Sequence, residues 1–307
     1  MHVAIIGAGS LGRVFGARLA SAGVAVDFVV RETAPSGAIR VENAASGEAT
    51  SIEAPSRLPA LPAHADVVLL CVRANQLDDA LVESLRAGPN VPIVAVTPML
   101  PRTFARLRAL LGARLVTAMS SVVGYTNGEG VTRYWVSQAA KTLIDEPRTA
   151  EPALLALAES LGRAGIATRI EPAVHETNTA TTLRFLPLTF GLDVAGSIDE
   201  LLNDAPLLAT TFRAADEARK LGDRYGKVAF WTGLVTRFLG PHTIRMGLAL
   251  GRSRAPEAIR FIDEHFGRKA HAQNLAMAIE TCALAEEKAI PHAALDELLA
   301  RLRGCRA

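Results

Sequence analysis

The chain opens on an apolar run, Val3-Ala4-Ile5-Ile6, that passes directly into Gly7-Ala8-Gly9-Ser10-Leu11-Gly12, with Leu11, Phe15 and Leu19 following at helical spacing. A β-branched run giving way to a period of three to four predicts strand, tight turn and helix. Gly23 ends that helix by tolerating a left-handed backbone, and Val24 to Val30 predicts a second strand. Further apolar runs cover Ala65 to Val72, Val91 to Val96 and Arg114 to Ala118, with helices predicted over Leu77 to Leu85 and Phe104 to Leu111. Strands apolar at nearly every position are covered on both faces, which implies a twisted parallel sheet with helices on each side. Ile39 to Val41 and Ser51 to Glu53 predict a small excursion within that sheet. Between Ser120 and Ile144, Gly124, Asn127-Gly128 and Gly130 stand among Val131, Tyr134, Trp135 and Val136, a pattern of hairpins. A helix over Pro152 to Ala164 and the sheet's last strand over Ala167 to Ile170 complete this half.

From Pro172 the periodicity is helical almost to the end, punctuated by Pro187, Pro206, Pro241, Pro256 and Pro291. The expected architecture is therefore α/β: a Rossmann-type parallel-sheet domain over residues 1–170 and an all-α domain over 171–307. The boundary falls near Glu171, with no flexible linker and no internal repeat.

The spacing G-x-G-x-x-G between a strand and a helix has a specific chemistry. Gly7 allows the tight turn, Gly9 lets backbone approach a pyrophosphate, and Gly12 lets helix and strand pack closely. The N–H groups of Ser10, Leu11 and Gly12 at the helix start then hold phosphate charge. A glycine turn without a ligand is the plainer alternative, but the matching flanks favour dinucleotide binding. The residue after the second strand selects the cofactor, since an acid accepts from a ribose hydroxyl and an arginine neutralises a 2′-phosphate. Arg31 comes first, ahead of Glu32, and favours NADP. Arg73-Ala74-Asn75-Gln76 and Thr97 follow later strands at the carboxyl edge, where open α/β sheets bind ligands.

Composition narrows the classes. At 307 residues the chain suits two domains, and a net charge of +2 gives no broad basic field for nucleic acid or a membrane surface. Hydrophobic residues make up 50%, but charges and prolines interrupt each long run before a bilayer-spanning length. The start goes straight into a strand without a signal-peptide pattern, so a cytoplasmic location is expected. Cys71, Cys282 and Cys305 form no C-x-x-C pair, so reduced thiols and no metal are expected.

On the glycine loop, Arg31, the Arg73 to Gln76 turn and the helical second half, the chain resembles the ketopantoate reductase family, the NADP-dependent 2-dehydropantoate 2-reductases. The resemblance is close over roughly the first hundred residues and looser beyond. It implies that Gly7, Gly9 and Gly12 hold pyrophosphate, that Arg31 reads the phosphate, and that Arg73 replaces the family's lysine with Gln76 retained. Arginine keeps the charge but offers a rigid fork instead of a point donor. Where the family has Gln-Asn-Gly the chain has Thr97-Pro98-Met99. Pro187-Leu188-Thr189 sets the register of the second-domain motif and puts Asn178, Thr182 and Leu186 where the family has lysine, asparagine and asparagine. The family's catalytic lysine is thus absent.

Asparagine donates a hydrogen bond but cannot supply the proton a reduced ketone needs. His175, Asn178 and Thr182 are spaced i, i+3, i+7 on one helix face, and an unperturbed imidazole titrates in the range that suits proton transfer; a surface histidine is the plainer reading. Arg184 falls on the far side of that helix and is a weaker candidate. Glu264-His265-Phe266-Gly267-Arg268-Lys269 and the following His271, Gln273 and Asn274 form the densest basic cluster of the second half. His265, Lys269 and Asn274 could bind a carboxylate there, or the run could solvate a helix connection. Glu257 is the nearest match to the family's substrate-holding glutamate. The leading expectation is an NADP-dependent reductase of a small 2-oxo acid or related carbonyl compound, with ketopantoate itself a poor substrate. A non-enzymatic NADP-binding module and an imine reductase are the alternatives, and long apolar helices in the second domain favour a homodimer.

Overall fold

A computed structural model of the chain describes residues 1–30, 37–137, 140–147, 151–254, 256–266 and 268–305, without the side chains of Glu264, His265 and Arg268. The chain divides into two units, Met1–His175 and Glu176–Ala307. The division lies a few residues past Glu171 because the long helix of the second half begins at Val174.

The first unit contains β1 (His2–Ile6), α1 (Ser10–Ser21), β2 (Ala25–Val29), β3 (Ile39–Asn43), β4 (Ala49–Ile52), β5 (Ser56–Leu58) and β6 (Val67–Leu70). It continues with α2 (Asp79–Ala87), β7 (Ile93–Ala95), α3 (Pro101–Leu111), β8 (Leu115–Met119), β9 (Val122–Thr126), β10 (Val131–Val136), β11 (Thr142–Asp145), α4 (Pro152–Arg163) and β12 (Thr168–Glu171). The main sheet has the order β12-β11-β8-β7-β6-β1-β2-β5. Its centre is parallel, and the β11–β8 pair is antiparallel.

Alternation along the strands sends side chains to both faces. Val3 and Ile5 of β1 join Phe15 and Leu19 of α1 and Leu154 and Leu157 of α4 in one core. Ala4 and Ile6 join Val82 and Leu85 of α2 and Leu107 of α3 in the other. These strands are buried on both faces, which is why they read as unbroken apolar runs.

Three expectations need correction. Residues 39–53 are no excursion within the main sheet: β3 and β4 pair with each other, and β3 runs parallel to β10 in a separate four-stranded sheet of order β4-β3-β10-β9. Of the predicted hairpins, β9–β10 forms around Asn127–Gly130, whereas β11 leaves to pair with β8 and β12. Helix α3 starts three residues earlier than expected because Pro101 sits at its first turn, where a missing N–H costs nothing.

Helix α5 (Val174–Ala195) leads into the second unit, which also holds α6 (Ile198–Asn203), α7 (Ala205–Gly222), α8 (Phe230–Phe238), α9 (Pro241–Arg254), α10 (Pro256–Phe266), α11 (His271–Glu287) and α12 (Ala293–Gly304). Pro206, Pro241 and Pro256 stand in first turns, while Pro187 lies inside α5. Ser197 and Asp204 accept hydrogen bonds from the backbone N–H groups of Glu200 and Leu207, capping α6 and α7. Helices α7, α11 and α12 contact one another, with Leu207 and Leu221 of α7, Met277 and Leu284 of α11, and Leu295, Leu298 and Leu302 of α12 buried. Among the described residues no helix is long and apolar enough to cross a membrane.

Candidate functional site

Gly9 is the N-cap of α1, with ordinary extended backbone at φ −73° and ψ −175°. No side chain caps this helix and no acid occupies its first turn. The first amides of α1 thus lack intrahelical acceptors, and the positive end of the helix dipole is uncompensated. The three glycines differ in what surrounds them. A Cβ on Gly7, whose φ is +98°, would lie 2.9 Å from Val72 Cγ1, and one on Gly12 would lie 1.9 Å from the Gly7 carbonyl oxygen. A Cβ on Gly9 would meet nothing within 4 Å. Two glycines are therefore forced by packing, and the third keeps a space open at the helix start. That open space, lined by amides without intrahelical acceptors, fits a pyrophosphate. Leu11 packs partly against the sheet core, and Ser10 Oγ lies 3.3 Å from Thr126 Oγ1.

The neighbouring strand ends build the rest of the edge. The Cys71 N–H donates to the Ile6 carbonyl at 2.8 Å, so the chain leaves β6 beside the glycine loop. The Arg73 N–H donates to Gln76 Oε1 at 3.0 Å, and the Gln76 N–H returns to the Arg73 carbonyl at 2.9 Å. Gln76 thereby fixes the turn that carries Arg73, with its own oxygen engaged. Thr97 is buried just past β7, next to the point where the Val96 N–H meets the Leu70 carbonyl. Gly7, Arg73, Gln76 and Thr97 thus all lie at carboxyl ends of the adjacent strands β1, β6 and β7, flanking the point where the strand order reverses beside β1. Burial pushes the Cys71 thiol up to about 12, so it stays protonated and packs.

Arg31 lies outside the described residues. Two other arginines that the sequence reading passed over stand near the loop. Arg13, in the first turns of α1, donates from Nε to the Ala8 carbonyl at 3.0 Å and from an Nη to the Gly130 carbonyl at 3.1 Å. Burial, and then the charge of Arg57, hold its guanidinium below the usual range. Arg57 donates to the Gly37 carbonyl at 2.7 Å, and its Nε is buried without a partner. Among the described residues neither arginine pairs with a carboxylate. The signal for Arg57 was hidden because Ser56–Leu58 becomes a strand only through its pairing with β2.

Helix α5 carries the residues that the resemblance sets against the family's catalytic motif. His175 stacks on Phe104 of α3, with ring centroids 3.7 Å apart and planes 20° from parallel. Asn178 is buried, and the Thr182 hydroxyl donates to Asn178 Oδ1 at 3.3 Å, so these two side chains share a face as the spacing predicts. Arg184 is buried on an ion pair with Asp223 and a 3.2 Å hydrogen bond to Thr236 Oγ1.

In the basic cluster Lys269 is exposed, and Glu257 is partly exposed in the first turn of α10. The side chain of His265 lies outside the described residues. Asn274 is only 4% exposed, and its amide donates to Asp193 Oδ2 at 3.0 Å and to the Phe266 carbonyl at 3.2 Å. Both of its N–H donors are therefore engaged within the helical unit. His271 Nδ1 also meets Asp193, at 3.2 Å. Asp193 was missed because a lone acid on an apolar helix has no spacing signature.

The sheet topology and glycine loop define a Rossmann-type α/β unit followed by a helical unit. Residues 3–97 match the family model described as Ketopantoate reductase PanE/ApbA, and over those residues the resemblance to that family is shown. Among curated proteins none matches the chain in sequence. Solved structures match its whole length. A 2-dehydropantoate 2-reductase from Geobacter metallireducens has a TM-score of 0.73 at 17% identity, with 99% of each chain covered. D-mandelate dehydrogenase with NADH and anilino(oxo)acetate has a TM-score of 0.70 at 14% identity, covering 99% of this chain and 97% of that one. A dimeric ketopantoate reductase from Staphylococcus aureus has a TM-score of 0.68 at 13% identity, covering 99% and 98%. At these identities the likeness is one of fold.

Proposed function

We propose that the protein is an NADP-dependent reductase of a small 2-oxo acid or related carbonyl compound, akin to the 2-dehydropantoate 2-reductases. The observation that carries this reading is the uncapped start of α1, with space open at Gly9 and packing closed at Gly7 and Gly12. NADPH, when bound, supplies a hydride to the carbonyl carbon. The amides of Ser10, Leu11 and Gly12 take the pyrophosphate, and Arg73 with Thr97 lies along the same edge.

NADP is favoured over NAD by charge. D-mandelate dehydrogenase carries NADH on this fold, so the choice rests on local residues. Arg13 and Arg57 stand close enough for their charges to interact, and Arg31 follows β2 in sequence. A 2′-phosphate would relieve that repulsion, whereas a ribose hydroxyl would not.

The alkoxide formed from the carbonyl needs a proton. His175 is the side chain among the α5 candidates able to give one, and the face of its ring that rests on Phe104 fixes its orientation. Asn178 donates from its amide nitrogen and orients substrate, held by the Thr182 hydroxyl on its Oδ1, and Thr182 Oγ1 can accept; Lys269 and Glu257 are candidates for the substrate's carboxylate or hydroxyl groups. A cytoplasmic location accords with this chemistry. Titrating the protein with NADPH and NADH, and then adding a panel of 2-oxo acids, tests the reading. Binding of NADPH at least about tenfold tighter than NADH, with oxidation by one of the acids, supports it. Binding without turnover favours an NADP-sensing module, and amine-dependent turnover an imine reductase.

The partner is a second copy. Trp231, Leu234, Val235 and Phe238 recur at i, i+3, i+4 and i+7 on the outer face of α8, and Phe230 and Trp231 are 75% and 71% exposed. The inner face holds Thr236, bonded to Arg184. Aromatic and aliphatic groups of this size present roughly 500 Å² of apolar surface, about the apolar share of one side of a standard interface. Sedimentation of the wild type as a dimer, with Trp231→Glu a monomer, is the expected result; a monomeric wild type refutes the assignment.

A further inference from the structure

We propose that His2, Asp27 and His64 form a binding site for a divalent transition-metal ion, Zn2+ in the first instance. His2 opens β1, Asp27 lies in β2, and His64 lies in the loop before β6. Their spacing in sequence matches no metal motif, and only the pairing of β1 with β2 and β6 brings them together. The Nε2 atoms of His2 and His64 lie 2.6 and 3.0 Å from the same oxygen, Oδ2 of Asp27, and the three ligand atoms all lie within 4.8 Å of one another.

The supporting groups are those a metal centre uses. Asp27 is 6% exposed, and among the described residues it has no lysine or arginine partner. Ser56 hydrogen-bonds its carboxylate, which positions one ligand through a second layer. The His2 backbone N–H donates to Asp66 Oδ2 at 2.8 Å, which anchors the strand end that carries the second ligand. The two rings lie 4.2 Å apart, tilted by 59°. His64, with its side chain 59% exposed, can swing. Ligands about 2.0–2.1 Å from a tetrahedral Zn2+ stand about 3.3–3.4 Å from one another, so small shifts of the imidazoles would admit the ion. Two imidazoles and one carboxylate leave a fourth position for water, and such a set selects Zn2+, Ni2+ or Cu2+ over Mg2+ or Ca2+.

The site sits at the amino end of β1, whereas Gly7 follows its carboxyl end. Five residue steps along the strand, at about 3.3 Å each, separate His2 from Gly7. The ion would tie β1, β2 and the loop before β6 together without touching the proposed cofactor. Its readout is therefore metal affinity and thermal stability, independent of the reductase reading.

The test is calorimetric titration of the metal-stripped full chain with ZnCl2, in the absence of nucleotide, alongside melting curves with Zn2+ or Mg2+. One Zn2+ per chain, a melting temperature raised by Zn2+ but not by Mg2+, and affinity lowered at least about tenfold in His64→Ala are expected. His64 is a loop residue, so that variant folds; His2→Ala provides the second arm, with NADPH affinity unchanged in both. No saturable Zn2+ binding by the wild type, or wild-type Zn2+ affinity retained in both variants, overturns the assignment and leaves the three residues as a hydrogen-bond cluster.

Discussion

Replacing Gly9 and Gly12 separately by alanine pulls apart two roles that the glycine motif merges. At Gly12 the new methyl would lie 1.9 Å from the Gly7 carbonyl oxygen. An ordinary contact is nearer 3.4 Å, so α1 or the loop must move by more than an ångström. Overpacking of that kind costs about 1–3 kcal/mol. For a unit of this size that lowers the melting temperature by several degrees. Gly9 is the opposite case. Its backbone is extended and nothing lies within 4 Å of the added Cβ. Alanine caps a helix less well than glycine but restricts the unfolded chain, and these opposing effects, each of about 0.5–1 kcal/mol, largely offset each other. The methyl would nevertheless occupy the space proposed for the pyrophosphate. Gly9→Ala should therefore melt like the wild type while binding NADPH at least about tenfold more weakly, a loss of about 1.4 kcal/mol. Fluorescence titration with NADPH and thermal melting of both variants give the comparison. Wild-type affinity in Gly9→Ala would refute the reasoning, because nothing would then lie against that backbone.

Other substitutions probe the remaining parts. Arg57→Ala should weaken NADPH by about ten- to a hundredfold, the range of a charge-assisted hydrogen bond, and leave NADH unchanged, as read by paired titrations. His175→Ala should lower kcat by about a hundred- to ten-thousandfold and remove a titration from the kcat–pH profile, without altering NADPH affinity. An unchanged profile would pass the proton to another group. Burial alone would raise the Asp27 carboxyl, but hydrogen bonds from Ser56, His64 and His2 hold it below the usual carboxylate range. Its stabilising contribution is then complete above the unfolded value of about 3.9 and is lost as pH falls through the lower folded value. Urea melts from pH 7 downward should accordingly show a steeper acid loss in the wild type than in Asp27→Asn.

The parallel sheet was legible because its strands are buried on both faces and announce themselves locally, as Val67–Leu70 does. The glycine loop was legible because its chemistry depends on close spacing. The four-stranded sheet was not, since β3 and β10 are distant in sequence and carry mixed polar and apolar residues that fit several pairings. Arg57 became part of the candidate site only through the β2–β5 register. The same limit hid the convergence of His2, Asp27 and His64. In the helical half, Asn178 and Thr182 followed from periodicity, because one helix sets their relation. Asn274 looked like a free polar group beside basic residues, but its amide is taken by Asp193 on another helix, a contact that periodicity cannot register.

Reductase chemistry itself is tested most directly by a single turnover. The protein, loaded with one equivalent of NADPH, is mixed with each of a panel of 2-oxo acids, including ketopantoate, and loss of the reduced nicotinamide is followed. Saturable oxidation by at least one acid, slow with ketopantoate because Asn178 stands where the resemblance implies a lysine, is the expected result. Bound NADPH that stays reduced with every acid would contradict the proposed function.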